Sequence, residues 1–317
     1  MKEIFCTCVI PTVGRDSLAR AVESVLAQTL AGAEYEIIVV NDSGKPLPKQ
    51  AWQVDSRVQV IHTNRRERSV ARNTGAAMAR GQYLHFLDDD DWLVEGAYQH
   101  FSEISRQSHA VWMYGMTQIV TRKLEPTVKL KHSMNGNQFL SVMAGEWIPL
   151  QASLIERNAF LQYGGFNPTL TGPEDIDLLR RIMLRGEMAE TPNLVACVIL
   201  GMEGSTTDYT RHSLQSRFAR EKILDAQGSF KRMHATASNA FWQARLLRIY
   251  LTSVIWNLKN RRLFTAMSRA MYSLAALLTA ELNVFRWQFW SSVAGPFASP
   301  TFARGYQEKQ KDKAGNE

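Results

Sequence analysis

Tyr83-Leu84-His85-Phe86-Leu87-Asp88-Asp89-Asp90-Asp91-Trp92 is the stretch on which the reading of this chain turns. An apolar, β-prone segment runs straight into four adjacent aspartates. Carboxylates this close repel one another and do not build a core. Directly after a strand they sit at the mouth of a sheet, where closely spaced oxygens suit a hard divalent cation that keeps open positions for substrate phosphates. The same residues also suit a solvated turn capping a helix near Val94, because Asp is favoured at N-caps and in first turns. The surroundings decide between the two.

Upstream, strands and helices alternate. Residues 4–10 read as a mostly apolar strand. Asp16 can cap a helix to about residue 28, with Leu18, Ala21, Val22 and Val25 on one face. Residues 36–40 form a short apolar strand that ends in the turn signal Asn41-Asp42-Ser43-Gly44. Residues 57–62 form another strand. Ser69 is placed to cap a helix to about residue 79, closed by Gly81, and residues 82–87 are the strand before the aspartates. This order predicts right-handed crossovers and an α/β fold: a mainly parallel mixed sheet with helices on both faces. Ligands on such sheets bind beyond the carboxyl ends of the strands. Asp42 and the run 88–91 both lie at such ends.

Downstream, residues 95–107 look helical, and 110–121 and 126–131 read as strands of a hairpin or extension. A short helix is expected at 137–144 and a strand at 148–155. The loop Tyr163-Gly164-Gly165-Phe166-Asn167-Pro168 precedes Gly172-Pro173, after which Glu174-Asp175-Ile176-Asp177-Leu178-Leu179 opens a helix. From about residue 236 the composition changes. Residues 241–259 and 263–282 read as helices, the second with an i, i+3, i+4, i+7 stripe of Leu263, Met267, Ala270, Met271, Leu274, Leu277, Leu278 and Leu282. Three segments result: a catalytic domain over 1–235, a basic amphipathic helical extension over 236–304, and a polar tail, 305–317, expected to be disordered.

The 317 residues are 45% apolar, enough for a sizeable core. Cys6, Cys8 and Cys197 are too few and odd in number for a disulfide framework and read as small core hydrophobes. Met1-Lys2-Glu3 leads into a strand without a signal-peptide pattern, so a cytoplasmic location is expected. The net charge of +7 is uneven: residues 1–239 are neutral, whereas 240–304 carry eight basic residues and one acid, Glu281. That excess points to an anionic partner. No nucleic-acid-binding module is present, and none is expected as partner. Arg245, Arg248, Lys259, Arg261, Arg262, Arg269 and Arg286 lie among Trp242, Trp256, Trp287 and Trp290. Either these helices dock peripherally on an anionic membrane surface, on the inner face of the cytoplasmic membrane, or their stripe packs on the catalytic domain.

Val9-Ile10-Pro11-Thr12, the segment 36–44, Ser69-Val70-Ala71-Arg72-Asn73-Thr74-Gly75, the aspartate run, Gly164-Gly165-Phe166-Asn167 and Glu174-Asp175-Ile176-Asp177 follow one another in this order. Over roughly residues 4–200 the series resembles glycosyltransferase family 2, inverting enzymes with the GT-A fold. The resemblance implies a nucleotide-sugar donor, usually of uridine diphosphate, bound by residues 1–108, and an acceptor side over 109–235. It implies that Pro11 and Thr12 line the nucleotide, Asp42 accepts a hydrogen bond from the base, and Arg72 lies near the donor. Asp90 would touch Mn²⁺ or Mg²⁺, and Asp88 the ribose or the metal shell. Asp89 replaces the small residue usual between them and is counted with the donor-binding set. Asp175 matches the catalytic base; Glu174, Trp147 and Gly165 are candidates for the acceptor side.

The chemistry stands on its own terms. A sugar nucleotide leaves as a diphosphate whose growing negative charge a bound cation offsets. The acceptor hydroxyl attacks from the opposite face and gives its proton to a carboxylate. One displacement inverts the anomeric centre. The Gln-x-x-Arg-Trp segment and membrane spans of polymerising members are missing, so transfer of single sugars to a glycan or lipid-linked acceptor of a surface polysaccharide is expected. Loops around 110–172 and 200–215 would set specificity. A metal-dependent phosphoryl or nucleotidyl transferase and an inactive sugar-nucleotide binder are the alternatives. The first lacks a Gly-rich phosphate loop; the second does not explain Asp42, Asp90 and Asp175 together.

Overall fold

The computed structural model describes residues 3–63, 66–199 and 209–295. The expected tail, 305–317, and most of the 200–215 loop lie outside the described residues.

β1 (Ile4–Thr12) buries both faces: Cys6, Cys8 and Ile10 point one way and Val9 the other. α1 (Leu18–Leu26) lays Leu18, Ala21, Val22 and Val25 on the first face. β2 (Glu34–Asn41) and β3 (Val58–His62) extend the sheet, followed by α2 (Arg68–Met78) on the second face and β4 (Tyr83–Phe86). The pairings β3-β2-β1-β4 are all parallel. α2 sits hard against the sheet because Gly75 has no side chain; a Cβ there would lie 2.3 Å from Val9 Cγ1.

Past the aspartates the sheet becomes mixed. The elements are β5 (Trp92–Leu93), α3 (Ala97–Gln107), the antiparallel pair β6 (Trp112–Val120) and β7 (Pro126–Leu130), α4 (Phe139–Met143), β8 (Ser153–Glu156), α5 (Arg157–Gln162), α6 (Glu174–Met183) and β9 (Met188–Ile199). The full order is β3-β2-β1-β4-β8-β6-β9-β5, with β7 paired to β6. β8 runs antiparallel to both β4 and β6, whereas β9 runs parallel to β6. The sequence reading did not foresee β9, and it took 148–155 for one strand. Its first half is instead a 3-10 turn over Leu150–Ala152. Two expected caps also differ. Ser17, not Asp16, stands at the start of α1. Glu67 caps α2, accepting from the Ser69 and Val70 amides, while Ser69 is buried inside the first turn. A carboxylate has two acceptor oxygens for the free amides of a helix start, where a hydroxyl has one.

The C-terminal part is helical: α7 (Tyr209–Asp225), α8 (Ser229–His234), α9 (Ala240–Lys259), α10 (Leu263–Thr279) and α11 (Trp287–Ala294). Phe160, Leu178, Met233, Leu247 and Phe289 belong to one continuous apolar cluster, so these helices share a core with the sheet. Most of the stripe of α10 does not pack inward, although Leu277, with Tyr272, lies half-buried on the core. Leu263, Met267, Met271, Leu274 and Leu278 are exposed, and the inward face is Ala266, Arg269, Ser273 and Ala276. Small side chains there let α10 lie close along α9. Of the basic residues, Arg245 and Arg269 are buried, and Arg269 pairs with Asp225.

His85, fully buried on β4, makes hydrogen bonds to the Tyr98 hydroxyl and the Gln151 carbonyl through its two ring nitrogens. Burial pushes its pKa down to about 4. The unfolded chain therefore binds this proton first, and stability falls as pH drops from about 6.5 towards 4. Urea unfolding of wild type at pH 7 and pH 4.5 should show a loss to which His85 contributes about 2–3 kcal/mol. A His85→Asn variant should show a pH dependence smaller by that amount; an unchanged pH dependence would remove His85 as its source.

Candidate active site

The aspartate run does not present four equivalent carboxylates. The Asp91 amide donates to the Asp88 carbonyl, closing a turn that splays successive side chains. Asp88, Asp90 and Asp91 converge, each with a carboxylate oxygen within 4.8 Å of the others. Asp89 turns away into a buried corner, where it accepts from Thr12 Oγ1 at 2.6 Å and pairs with Arg15. Asp89 and Thr12, both expected to line the donor, are thus bonded to each other, and Asp91 is the ligand candidate the sequence reading missed. Asp91 also holds β9 through the Ile199 amide, which donates to its Oδ1 at 2.8 Å. Arg20 bonds the Asp90 carbonyl at 2.7 Å rather than its carboxylate, and stacks over Trp92.

The electrostatics follow from burial and neighbours. Burial, then the charges of Asp88 and Asp89, raises Asp90 to about 6. Burial, with repulsion from Asp88 and Asp90, raises Asp91 well above the usual carboxylate range. For Asp88, burial acts upward, but Arg72, Arg68 and the Gln151 hydrogen bond together outweigh it, and the net shift is downward. An all-oxygen acidic triad of this kind suits Mg²⁺ or Mn²⁺ rather than a soft metal, and a cation would offset the repulsion that the fold imposes.

Arg72 is the hub. From the buried middle of α2 it donates to Asp88 Oδ1 at 2.6 Å and to Glu174 Oε1 at 3.2 Å. It therefore joins the end of β4 to the start of α6. Glu174 is buried, with Arg68 3.5 Å from the same oxygen and the Gly172 amide donating to Oε2. It serves as a fixed counter-charge. Asp175 stands beside it, half-buried; Trp147 Nε1 donates to its Oδ2 at 2.8 Å and the Ile176 amide to its Oδ1 at 2.7 Å. Gly165 has a backbone role. Its φ of 61° is left-handed, a Cβ would lie 2.7 Å from Asn73 Oδ1, and its carbonyl accepts from Arg181. Asn73 clamps the same loop by exchanging two hydrogen bonds with the Phe166 backbone.

At the end of β2, Asn41 makes the turn: its side chain accepts from the Ser43 amide and donates to the Lys45 carbonyl. Asp42 is left to accept from Thr63 Oγ1 and to line a hollow with Ser43, Gly44, Thr63 and Arg66. Pro11 pairs in register with Val40 at the adjoining strand end. Sequence reasoning missed Arg15, Arg68, Asn73 and Gln151, whose amide donates to Asp88 Oδ2. The first three stand beside motif positions; Gln151 had no local signal.

This sheet, with its acidic strand end and flanking helices, is the GT-A architecture of glycosyltransferases. The structure overlays on Staphylococcus aureus TarS 1–349, solved in complex with UDP-GlcNAc, with a TM-score of 0.59 at 14% identity, covering 78% of this chain and 81% of that one. Residues 7–135 match the model of Glycosyl transferase family 2. Among curated relatives, the poly(ribitol-phosphate) β-N-acetylglucosaminyltransferase TarP of S. aureus is 31% identical over 121 residues, 36% of either chain. An uncharacterized glycosyltransferase of Haemophilus influenzae is 26% identical over 188 residues, 55% of this chain and 60% of that one. The chain thus spans about a third of the first of these relatives and three fifths of the second.

Arg72→Met should cost about 3–5 kcal/mol, because it leaves Glu174 and Asp88 without their shared counter-charge. Chemical denaturation at neutral pH tests this. A loss near zero would mean that Arg68 alone balances both carboxylates.

Proposed function

We propose that this protein is an inverting glycosyltransferase that moves one sugar from a UDP-sugar to a glycan or lipid-linked acceptor in surface-polysaccharide synthesis. The observation that carries the reading is the Arg72 bridge, which ties Asp88 of the acidic triad, inside the stretch that matches family 2, to Glu174 beside Asp175. The TarS complex with UDP-GlcNAc supports a uridine donor, and the name of TarP supports a polymeric acceptor.

In this reading Asp42 takes the hydrogen bond of the base in the hollow beside β2, next to Pro11 and Thr12. Asp88, Asp90 and Asp91 hold Mn²⁺ or Mg²⁺, which when bound offsets the charge of the departing diphosphate. Asp89 positions the loop after β1 through Thr12 and Arg15. Asp175 accepts the proton of the acceptor hydroxyl as that oxygen bonds to the anomeric carbon and the bond to the diphosphate oxygen breaks. Trp147 and the Ile176 amide orient the carboxylate for that transfer. Donor binding then falls within residues 1–108, the acceptor side within 109–235, and 236–304 is the helical extension. A lipid-linked acceptor places the enzyme against a membrane surface on the cytoplasmic side, and the extension is the segment suited to it. No described helix is long and apolar enough to cross a membrane.

Two variants test the roles. Asp175→Asn should leave donor binding near normal and cut UDP release in the presence of acceptor by ~10²–10⁴-fold; a loss of donor affinity with turnover intact would make it a binding residue. Asp42→Ala should weaken UDP binding, measured by calorimetry, by about 1.5–3 kcal/mol. Unchanged affinity would confine Asp42 to its bond with Thr63.

A further inference from the structure

The outward face of α10 has no charged residue. Leu263, Phe264, Met267, Met271, Leu274 and Leu278 are all exposed, Phe264 at 86%. Arg269, the one charge in the helix, is turned inward against Asp225. Apolar exposure continues past the helix in Leu282, Phe285 and Trp287. A contiguous apolar helix face on the surface marks an interaction site. Its ends are basic. Lys259, Arg261 and Arg262 are exposed at the N-terminal end, Arg262 in an ion pair with Asp225, and Arg286 lies beyond the C-terminal end, with Glu281 the sole acid between residues 259 and 295.

We infer that α10 lies flat on a membrane surface containing anionic lipid, with its Leu, Met and Phe side chains in the headgroup–acyl boundary and the basic residues against lipid phosphates. A long apolar face, basic flanks and exposed tryptophan are what such a surface binds. A second copy of this chain fits less well. A two-fold contact brings like surfaces together, and either orientation sets basic ends against basic ends with only Glu281 and the Asp225 partner of Arg262 to offset them. Burial of Arg245 and Arg269 removes them from the docking charge, so insertion of the apolar face and the residues at its ends carry the binding. The binding itself is independent of the transferase reading; only its purpose, delivery of the site to a lipid-linked acceptor, rests on it.

Co-sedimentation of the full chain with vesicles tests the inference. Wild type should sediment with an equimolar mixture of phosphatidylcholine and phosphatidylglycerol, much less with phosphatidylcholine alone, and less as salt rises. A Phe264→Asp, Met271→Asp double variant should bind at least tenfold more weakly, while its thermal unfolding and UDP binding stay as in wild type. Lys259→Gln with Arg286→Gln should weaken binding to the mixed vesicles by about fivefold for each charge removed. Equal sedimentation with both vesicle types overturns the inference. So does concentration-dependent self-association in lipid-free buffer that the aspartate variant abolishes, which would give the face to a second copy. Vesicle binding without sugar transfer would leave the docking standing and refute the transferase reading; transfer to a soluble acceptor without vesicle binding would do the reverse.

Discussion

One buried guanidinium holds the candidate site together. Arg72 reaches Asp88, 16 residues away in sequence, and Glu174, 102 residues away, from the middle of a helix pressed onto the sheet. An arginine does this better than a lysine, because its planar fork offers several donors in fixed directions. α2 can bring the guanidinium so deep only because Gly75 lets the helix approach Val9. Asn73, next in the chain, fixes the 164–167 loop that leads to α6. Helix packing, loop clamp and ion pairs thus converge on a few neighbouring residues of α2, and the positions of the triad and of Asp175 depend on them.

The acidic mouth is a place where the fold tolerates unfavourable electrostatics. Asp88 is held low by Arg72, whereas Asp90 is pushed up by burial and by Asp88 and Asp89, and Asp91 by burial and by Asp88 and Asp90. Asp89 turns to Thr12 and Arg15, which offset only part of the burial and repulsion that raise it. Local rules of stability are broken most often where a protein binds or reacts. The conflict remaining among three carboxylates is the kind that a divalent cation resolves.

The helical extension shows a similar division. Its inward side shares the core of the sheet through Leu246, Leu247, Ile249 and Tyr250 of α9, and Ser253 and Asn257 hold the buried carboxylate of Glu221 on α7. α10 then packs by small side chains with Tyr272 and Leu277, which leaves Leu263, Phe264, Met267, Met271, Leu274 and Leu278 outside. Burying that face against α9 instead would require the helices to stand further apart and would expose Ala266, Ser273 and Ala276 in its place.

Much of the fold was legible in the amino-acid sequence. Runs of buried apolar residues marked β1, β2 and β4, and Asn41-Asp42-Ser43-Gly44 marked the turn that Asn41 makes. The aspartates had to lie at a strand end because the segment before them is apolar and β-prone. Glu174-Asp175 had to open a helix, since the Gly172-Pro173 loop before them cannot continue one. Other features could not be read locally. Which three of four adjacent aspartates converge depends on the 88–91 turn and on Thr12 and Arg15, which lie more than 70 residues earlier. β9 was hidden because pairing parallel to β6 is a property of two distant segments. The α10 stripe had a clear period, but period reports which residues share a face and not what that face meets. Sequence determined the elements and their chemistry, because propensity and spacing act within a few residues. Tertiary structure decided which charges meet and which surfaces stay open, because those energies arise only between segments the fold has brought together.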